Sequence, residues 1–164
     1  MGNGLYREIL AKLGECKSSI RVRLAKNYLK GLIPVGFFNL PSNTMLELND
    51  NALSEELPTL IVGDVLCKLD LSNNLMSGPI PSAIDKLPTL QTLSLDSNRF
   101  SGAIPPEVGQ LKNLWKLDLS GNNLTGEISE DLTRCTSRSR GPQPEPIKRR
   151  DSKGGHGAPK PQHL

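Results

Sequence analysis

The sequence predicts a right-handed solenoid, a coil of short stacked repeats with parallel strands on its concave face and a 3-10 or irregular convex side. Three observations predict it. Five asparagines, Asn27, Asn51, Asn74, Asn98 and Asn122, recur at spacings of 24, 23, 24 and 24 residues. Apolar residues stand five and three positions before each: Val22 and Leu24, Leu46 and Leu48, Leu69 and Leu71, Leu93 and Leu95, Leu117 and Leu119. Two positions after each comes Leu29, Leu53, Met76, Phe100 or Leu124. A fixed period of this length, written L-x-L-x-x-N-x-L, is the mark of a leucine-rich repeat.

Each element follows in order. The alternating apolar pair makes a strand of a few residues with one buried face. So short a strand cannot bury that face alone, and stacking on the next repeat builds a parallel sheet along the concave side. The asparagine stands where the chain leaves the strand, and its amide both donates and accepts. It can therefore satisfy backbone groups that the turn leaves unpaired. The phrases Gly31-Leu32-Ile33-Pro34, Gly78-Pro79-Ile80-Pro81 and Gly102-Ala103-Ile104-Pro105 come next. Their glycine permits a tight bend and their proline fixes φ as the convex side begins. Phe37 and Leu40, Ile84 and Leu87, Val108 and Leu111, and Leu132 and Cys135 close the coils, and Ile9, Leu13 and Cys16 fall in the same columns of an incomplete first coil. The expected organisation is a partial repeat over residues 1–18, about five full repeats over 19–135, and a tail over 136–164.

The G-x-I-P phrase resembles the plant-specific class of leucine-rich repeats found in receptor-like kinases. The wording of "RVRLAKNYLKGLIPVGFFNLP", "LSNNLMSGPIPSAI", "LDSNRFSGAIPPEVGQL" and "LTRC" is similar to the membrane-distal domain of CLAVATA and BARELY ANY MERISTEM type receptors, over roughly residues 7–135. The resemblance implies an extracellular, plasma-membrane setting. It also implies peptide-hormone perception and signalling, with a small secreted peptide and a leucine-rich-repeat co-receptor as partners. Such receptors carry a signal peptide, many more repeats, a membrane span and a kinase domain. The chain shows no apolar leader, no 18-residue apolar run and no G-x-G-x-x-G, H-R-D or D-F-G phrase, so a fragment of an ectodomain is expected.

Composition sharpens these bounds. Residues 1–135 hold 13 Lys and Arg against 15 Asp and Glu, whereas residues 136–164 hold 7 against 2. The tail has five prolines, four glycines and almost no apolar residues, a composition that cannot bury enough surface to fold. An acidic repeat region disfavours nucleic acid as a partner. Both histidines, His156 and His163, lie in that tail. No nucleophile-base pair or metal cluster appears, so neither catalysis nor a cofactor is expected. Cys16 and Cys135 share a column five repeats apart, about 24 Å at one strand spacing per repeat. That is far beyond the roughly 7 Å that a disulfide tolerates, so both read as small buried apolar side chains. Cys67 begins a strand in another column. The one sequon, Asn123-Leu124-Thr125, should point outward and accept a glycan if the chain is secreted.

Candidate binding residues lie on the concave face. Arg21 and Arg23 are two apart on one strand, so both side chains point the same way. Two adjacent guanidinium groups suit a carboxylate, which they hold by charge-assisted bidentate bonds; Lys26 adds positive potential. The plainer reading is a solvated basic patch paired with Glu47 on the next strand. The resemblance implies that an R-x-R phrase here would clamp the free C-terminus of a secreted peptide. Glu47, Asp70, Asp96 and Asp118 are further concave contacts, and Trp115, the only tryptophan, is a candidate anchor for a partner. Exposed ion pairs contribute only about 0–1 kcal/mol, so the chain alone is expected to bind such peptides weakly. The second repeat departs from the pattern: Asn43 stands for its first leucine, at a cost of about 1–3 kcal/mol if buried without partners, and Glu55 stands for its bend glycine. Ser129 replaces a proline in the last repeat. A marginally stable fold is the expectation. The competing functional reading is a stand-alone interaction module, secreted or cytosolic, without a receptor role.

Overall fold

The alternating apolar pairs form three-residue strands, and their register reproduces the sequence period. A computed structural model describes residues 3–128 and Leu132. In chain order its strands are β1 (Tyr6–Glu8), β2 (Arg21–Arg23), β3 (Tyr28–Gly31), β4 (Met45–Glu47), β5 (Ala52–Leu53), β6 (Lys68–Asp70), β7 (Ser77–Gly78), β8 (Thr92–Ser94), β9 (Arg99–Ala103), β10 (Lys116–Asp118) and β11 (Asn123–Thr125). The concave sheet runs β2-β4-β6-β8-β10, all parallel. It places Val22, Leu46, Leu69, Leu93 and Leu117 in one row. Leu46, Leu48, Leu69, Leu71, Leu93 and Leu95 are fully buried, while Val22, Leu24, Leu117 and Leu119 at the two ends are only partly covered. A leucine hidden in this way contributes about 1.5–3 kcal/mol, so the interior coils carry the stability.

The asparagines form a hydrogen-bonded ladder between coils. Asn51 Oδ1 accepts the N–H of Leu29, Asn74 that of Leu53, Asn98 that of Met76 and Asn122 that of Phe100, each at 3.0–3.1 Å. From Asn51 onward each Nδ2 donates within its own coil and to the coil before it: Asn74 Nδ2 reaches the carbonyls of Leu71 and Leu48, and Asn98 Nδ2 those of Leu95 and Leu71. The residue before each asparagine turns the chain with positive φ, as at Lys26, Asp50, Asn73, Ser97 and Gly121. The first of the five rungs reaches back to the N-terminal segment. Asn3 lies 24 residues before Asn27 and is followed by Leu5, and Asn27 Oδ1 accepts the N–H of Leu5 at 3.0 Å.

A second parallel sheet flanks the first, and the sequence period did not foretell it. It comprises β1-β3-β5 and β7-β9-β11. Leu75 N–H to Leu53 O at 2.8 Å and Ser77 N–H to Glu55 O at 3.1 Å bridge the two groups. These strands follow the ladder asparagine and lead into the G-x-I-P bend. The convex side carries 3-10 turns at Ala11–Glu15, Val35–Phe37, Ser82–Lys86 and Pro106–Gln110, over which Phe37, Ile84 and Val108 are buried.

The second repeat has no convex 3-10 turn. Asp64 falls in the column of Leu40, Leu87 and Leu111, and burying its carboxylate would cost several kcal/mol. The side chain stays exposed while Ile61 and Gly63 pack inside. Asn43 is 99 % hidden, as expected of its column, but it is not unpartnered. Its Nδ2 donates to Phe37 O and its Oδ1 accepts Met45 N–H, both at a long 3.4 Å. Glu55 takes the bend glycine's place at φ 74°, beside Gly31 at 79° and Gly78 at 75°. Cys16 corrects an expectation: it is exposed rather than buried, because among the described residues no further coil packs over it. Cys67 is half-buried and free, its Sγ 3.4 Å from Val65 O. The tail, Cys135 and Ser129 lie outside the described residues. Among those described, no helix is long and apolar enough to cross a membrane.

Candidate functional site

The parallel register sorts the concave side chains into rows. Arg21, Met45, Lys68, Thr92 and Lys116 form one row, and Arg23, Glu47, Asp70, Ser94 and Asp118 the next. The backbone bonds Lys26 N–H to Asn49 O, Asp50 N–H to Ser72 O, Asn73 N–H to Asp96 O and Ser97 N–H to Ser120 O extend this register toward the ladder. Arg21, Arg23 and Lys26 thus stand together at the N-terminal end of the face, and all three are exposed.

Arg23 is not free. Its Nε lies 2.9 Å from Glu47 Oε2, and Glu47 Oε1 takes Lys68 Nζ at 2.5 Å. Lys68 also approaches Asp70 Oδ2 at 3.6 Å, and Asp70 Oδ1 accepts Ser72 Oγ–H at 2.7 Å. A chain of alternating charge therefore crosses three coils, with the well-covered Glu47 carboxylate as its hub. The hydrogen bond to Glu47 holds the Lys68 ammonium above its ordinary pKa. The Arg23 side chain keeps 57 % of its surface in water, and its Nη2 reaches only Met45 Sδ at 3.4 Å. Arg21 and Lys26 make no ion pair among the described residues, so of the three only Arg23 is paired with Glu47.

Toward the C-terminal end the face turns acidic. Asp96 sits above its ordinary pKa because burial disfavours its charge and the Asp118 carboxylate lies nearby. Asp118 goes the other way, because the Ser120 hydroxyl and backbone N–H hydrogen-bond its carboxylate. Asp50 is fixed by two amides, Asn49 Nδ2 at 2.7 Å and Asn73 Nδ2 at 3.0 Å; as a crosslink between coils it was not singled out from sequence. Trp115 precedes β10 and is 40 % exposed, four coils from the arginines. Asn123 is exposed on β11, outside the concave sheet. Among the described residues no group of histidine, cysteine and carboxylate side chains could hold a metal ion.

The Leucine Rich Repeat family model matches residues 65–87, 89–111 and 113–135. The ectodomain of the receptor kinase SOBIR1 from Arabidopsis thaliana is similar at 31 % identity and a TM-score of 0.66, over 74 % of this chain and 68 % of that one. The Arabidopsis receptor kinase HAESA, solved with the peptide hormone IDA and the co-receptor SERK1, is 44 % identical with a TM-score of 0.76, over 80 % of this chain and 22 % of its own. PEPR1, solved with AtPEP1, is 34 % identical with a TM-score of 0.77, over 84 % and 19 %. No curated protein sequence matches significantly.

The fold and its ladder define a leucine-rich-repeat solenoid. The chain belongs to the leucine-rich-repeat ectodomains of plant receptor kinases, the non-enzymatic part of those proteins. It spans about a fifth of the HAESA and PEPR1 chains.

Proposed function

We propose that this chain is a peptide-binding module of a receptor-kinase ectodomain. Its Arg21, Arg23 and Lys26 would receive the C-terminal carboxylate of a small secreted peptide. The observation that carries the reading is the placement of Arg21 and Arg23 on one face of β2, both reachable from solvent. The similar HAESA ectodomain was solved with a peptide hormone and a co-receptor, which supports the same partner classes here, with Trp115 as the candidate co-receptor contact. A plasma-membrane, extracellular setting, a signalling role and a glycan on Asn123 belong to the same reading. The CLAVATA and BARELY ANY MERISTEM subtype rests on the wording of the repeats. Because Glu47 already engages Arg23, the clamp is half-neutralised and binding by the chain alone is weak.

The experiment is calorimetric titration of the chain with IDA bearing either a free or an amidated C-terminus. The free acid binds about tenfold tighter, the size that two exposed charge-assisted contacts can give, and Arg21→Ala with Arg23→Ala removes the difference. Equal binding of both forms would show that the arginines do not read the carboxylate. Sub-micromolar binding abolished by Arg23→Ala would show that the isolated chain is a stronger receptor than proposed.

A further inference from the structure

The second repeat lacks a convex 3-10 turn, so the Val35–Phe37 turn stacks on the Ala11–Glu15 turn and has no turn against its other side. There, where the flanking sheet passes into the convex side, lies a groove of about 470 Å3. It is lined by Leu32, Val35 and Pro58 together with Glu8, Glu55 and Glu56. Its two walls, residues 31–35 and 55–58, belong to the first and second full repeats. Each of these repeats has paired strands on both of its sides, so the groove is an interior feature of the solenoid. Leu32 is 58 % exposed and Val35 42 %. The three glutamates are exposed, and among the described residues none of them is ion-paired. Carboxylates set against apolar walls concentrate negative potential in the cleft. Glu55 keeps its carboxylate here at φ 74°, where the other coils have Gly31, Gly78 and Gly102. Backbone strain kept at an exposed side chain points to a use for that side chain.

We propose that this groove receives an arginine side chain and its apolar neighbour from an extended segment of a partner protein. Charge complementarity selects the arginine: its planar fork of donors suits several carboxylate oxygens at once, and three unpaired carboxylates line the cleft. The methylene stem of an arginine lies readily along apolar surface while its head stays with charge and water, and Leu32, Val35 and Pro58 supply that surface. A volume of this size holds a drug-sized ligand, which is more than one side chain, so the residue beside the arginine enters as well. The exposed Leu32 and Val35 make an apolar neighbour the fitting one. A bare cation would leave these walls uncovered. The site lies off the concave face and uses none of the residues of the carboxylate clamp, so it stands or falls independently of the proposed peptide function.

The test uses the full chain and the dipeptide Leu-Arg, acetylated and amidated so that it has no free carboxylate to engage the concave arginines. Titration followed by amide and methyl NMR should saturate in the millimolar range, with shifts at residues 31–35 and 55–58. Leu-citrulline, which keeps the shape and loses the charge, should bind at least about tenfold more weakly. Agmatine, which keeps the charge and loses the apolar neighbour, should also bind at least about tenfold more weakly. Glu55→Gln with Glu56→Gln in the protein should weaken Leu-Arg to the same degree while leaving its thermal melt in place. Absence of saturation, equal binding of Leu-citrulline or of agmatine, or shifts confined to the concave aspartates would overturn the proposal. Binding that emerges only after Lys148→Gln, Arg149→Gln and Arg150→Gln would make the chain's own basic segment the occupant and overturn the assignment to a partner.

Discussion

Arg23 Nε lies 2.9 Å from Glu47 Oε2 across adjacent concave strands, which makes the residue best placed to take a ligand carboxylate a partner of the protein's own. A peptide end must compete with Glu47, and Glu47 is held from its other side by Lys68. Glu47→Gln removes the competitor without changing side-chain volume. The expected outcome is about a threefold to tenfold gain in affinity for a free-acid peptide, measured by titration calorimetry. Folding stability should fall by about 1–2 kcal/mol, since a well-covered carboxylate gives up its pairs to Arg23 and Lys68 while the amide keeps part of the hydrogen bonding. A loss of affinity would mean that Glu47 organises the arginine rather than blocking it.

Asn43 occupies a leucine column whose other members, Leu66, Leu90 and Leu114, are at most 2 % exposed. Its hydrogen bonds are long, and bonds at that length return little of the desolvation that the amide loses. Asn43→Leu should stabilise the fold by about 1 kcal/mol, read from the midpoint of urea unfolding at constant slope. Destabilisation would show that the Phe37 carbonyl and the Met45 N–H depend on the amide.

Two backbone positions in the same repeat make opposite predictions. Glu55 holds a conformation that costs a non-glycine residue about 1–2 kcal/mol, so Glu55→Gly should stabilise by about 0.5–1 kcal/mol once the larger entropy of glycine in the unfolded chain is deducted. Gly63 is pressed against its neighbour: a Cβ there would lie 2.5 Å from Phe38 O, a backbone atom that cannot turn away. Gly63→Ala should destabilise by about 1–3 kcal/mol. Thermal melts of the two variants should therefore shift in opposite directions.

The two concave aspartates predict a pH signature. The folded-state pKa of Asp96 is raised above the ordinary 3.8, so its ionisation works against folding at neutral pH, and the penalty disappears as pH falls below the ordinary value. Asp118 is lowered from 3.8; its contribution is favourable above the ordinary value and is lost as pH falls through the lowered one. Asp96→Asn should stabilise at pH 7 and be neutral in strong acid, whereas Asp118→Asn should destabilise at pH 7 and be neutral in strong acid. Unfolding curves across the acid range measure both. A common sign at pH 7 would contradict the assigned causes.

What could be read from the chain depended on how far each feature repeats. The five asparagines and the leucine rows were legible because stacking imposes one chemical demand on every coil. Asn3 carries the same 24-residue spacing and the following Leu5, but no L-x-L pair precedes it, and what it contributes is its backbone N–H to Asn27 Oδ1. The flanking sheet was not legible, because segments such as Tyr28–Gly31 do not alternate and are held by cross-coil backbone bonds. Arg21 and Arg23 could be placed on one face from their spacing alone. The binding of Glu47 by both Arg23 and Lys68 needed the register of three coils, set by one spacing of 24 and one of 23 residues. Cys16 was misplaced because a column predicts burial only where a neighbouring coil covers it.

The ladder itself should show a gradient along the solenoid. Asn74 and Asn98 are buried, and each Nδ2 and Oδ1 serves backbone groups of two coils that no water reaches. Replacing either by alanine orphans one buried N–H, at about 1–3 kcal/mol, and leaves two carbonyls with one side-chain donor each in place of two. Asn122 makes the same bonds, but it is only partly buried, and water can replace part of what alanine removes. Asn74→Ala or Asn98→Ala should therefore cost about 2–4 kcal/mol and Asn122→Ala about 1–2 kcal/mol, measured by chemical unfolding. In a solenoid each coil touches only its neighbours, so losing a central rung also uncouples the coils on either side and should broaden the transition. Loss at the end should leave it cooperative. Equal costs at Asn98 and Asn122, with unchanged cooperativity, would mean that the leucine rows hold the coils together without the asparagines.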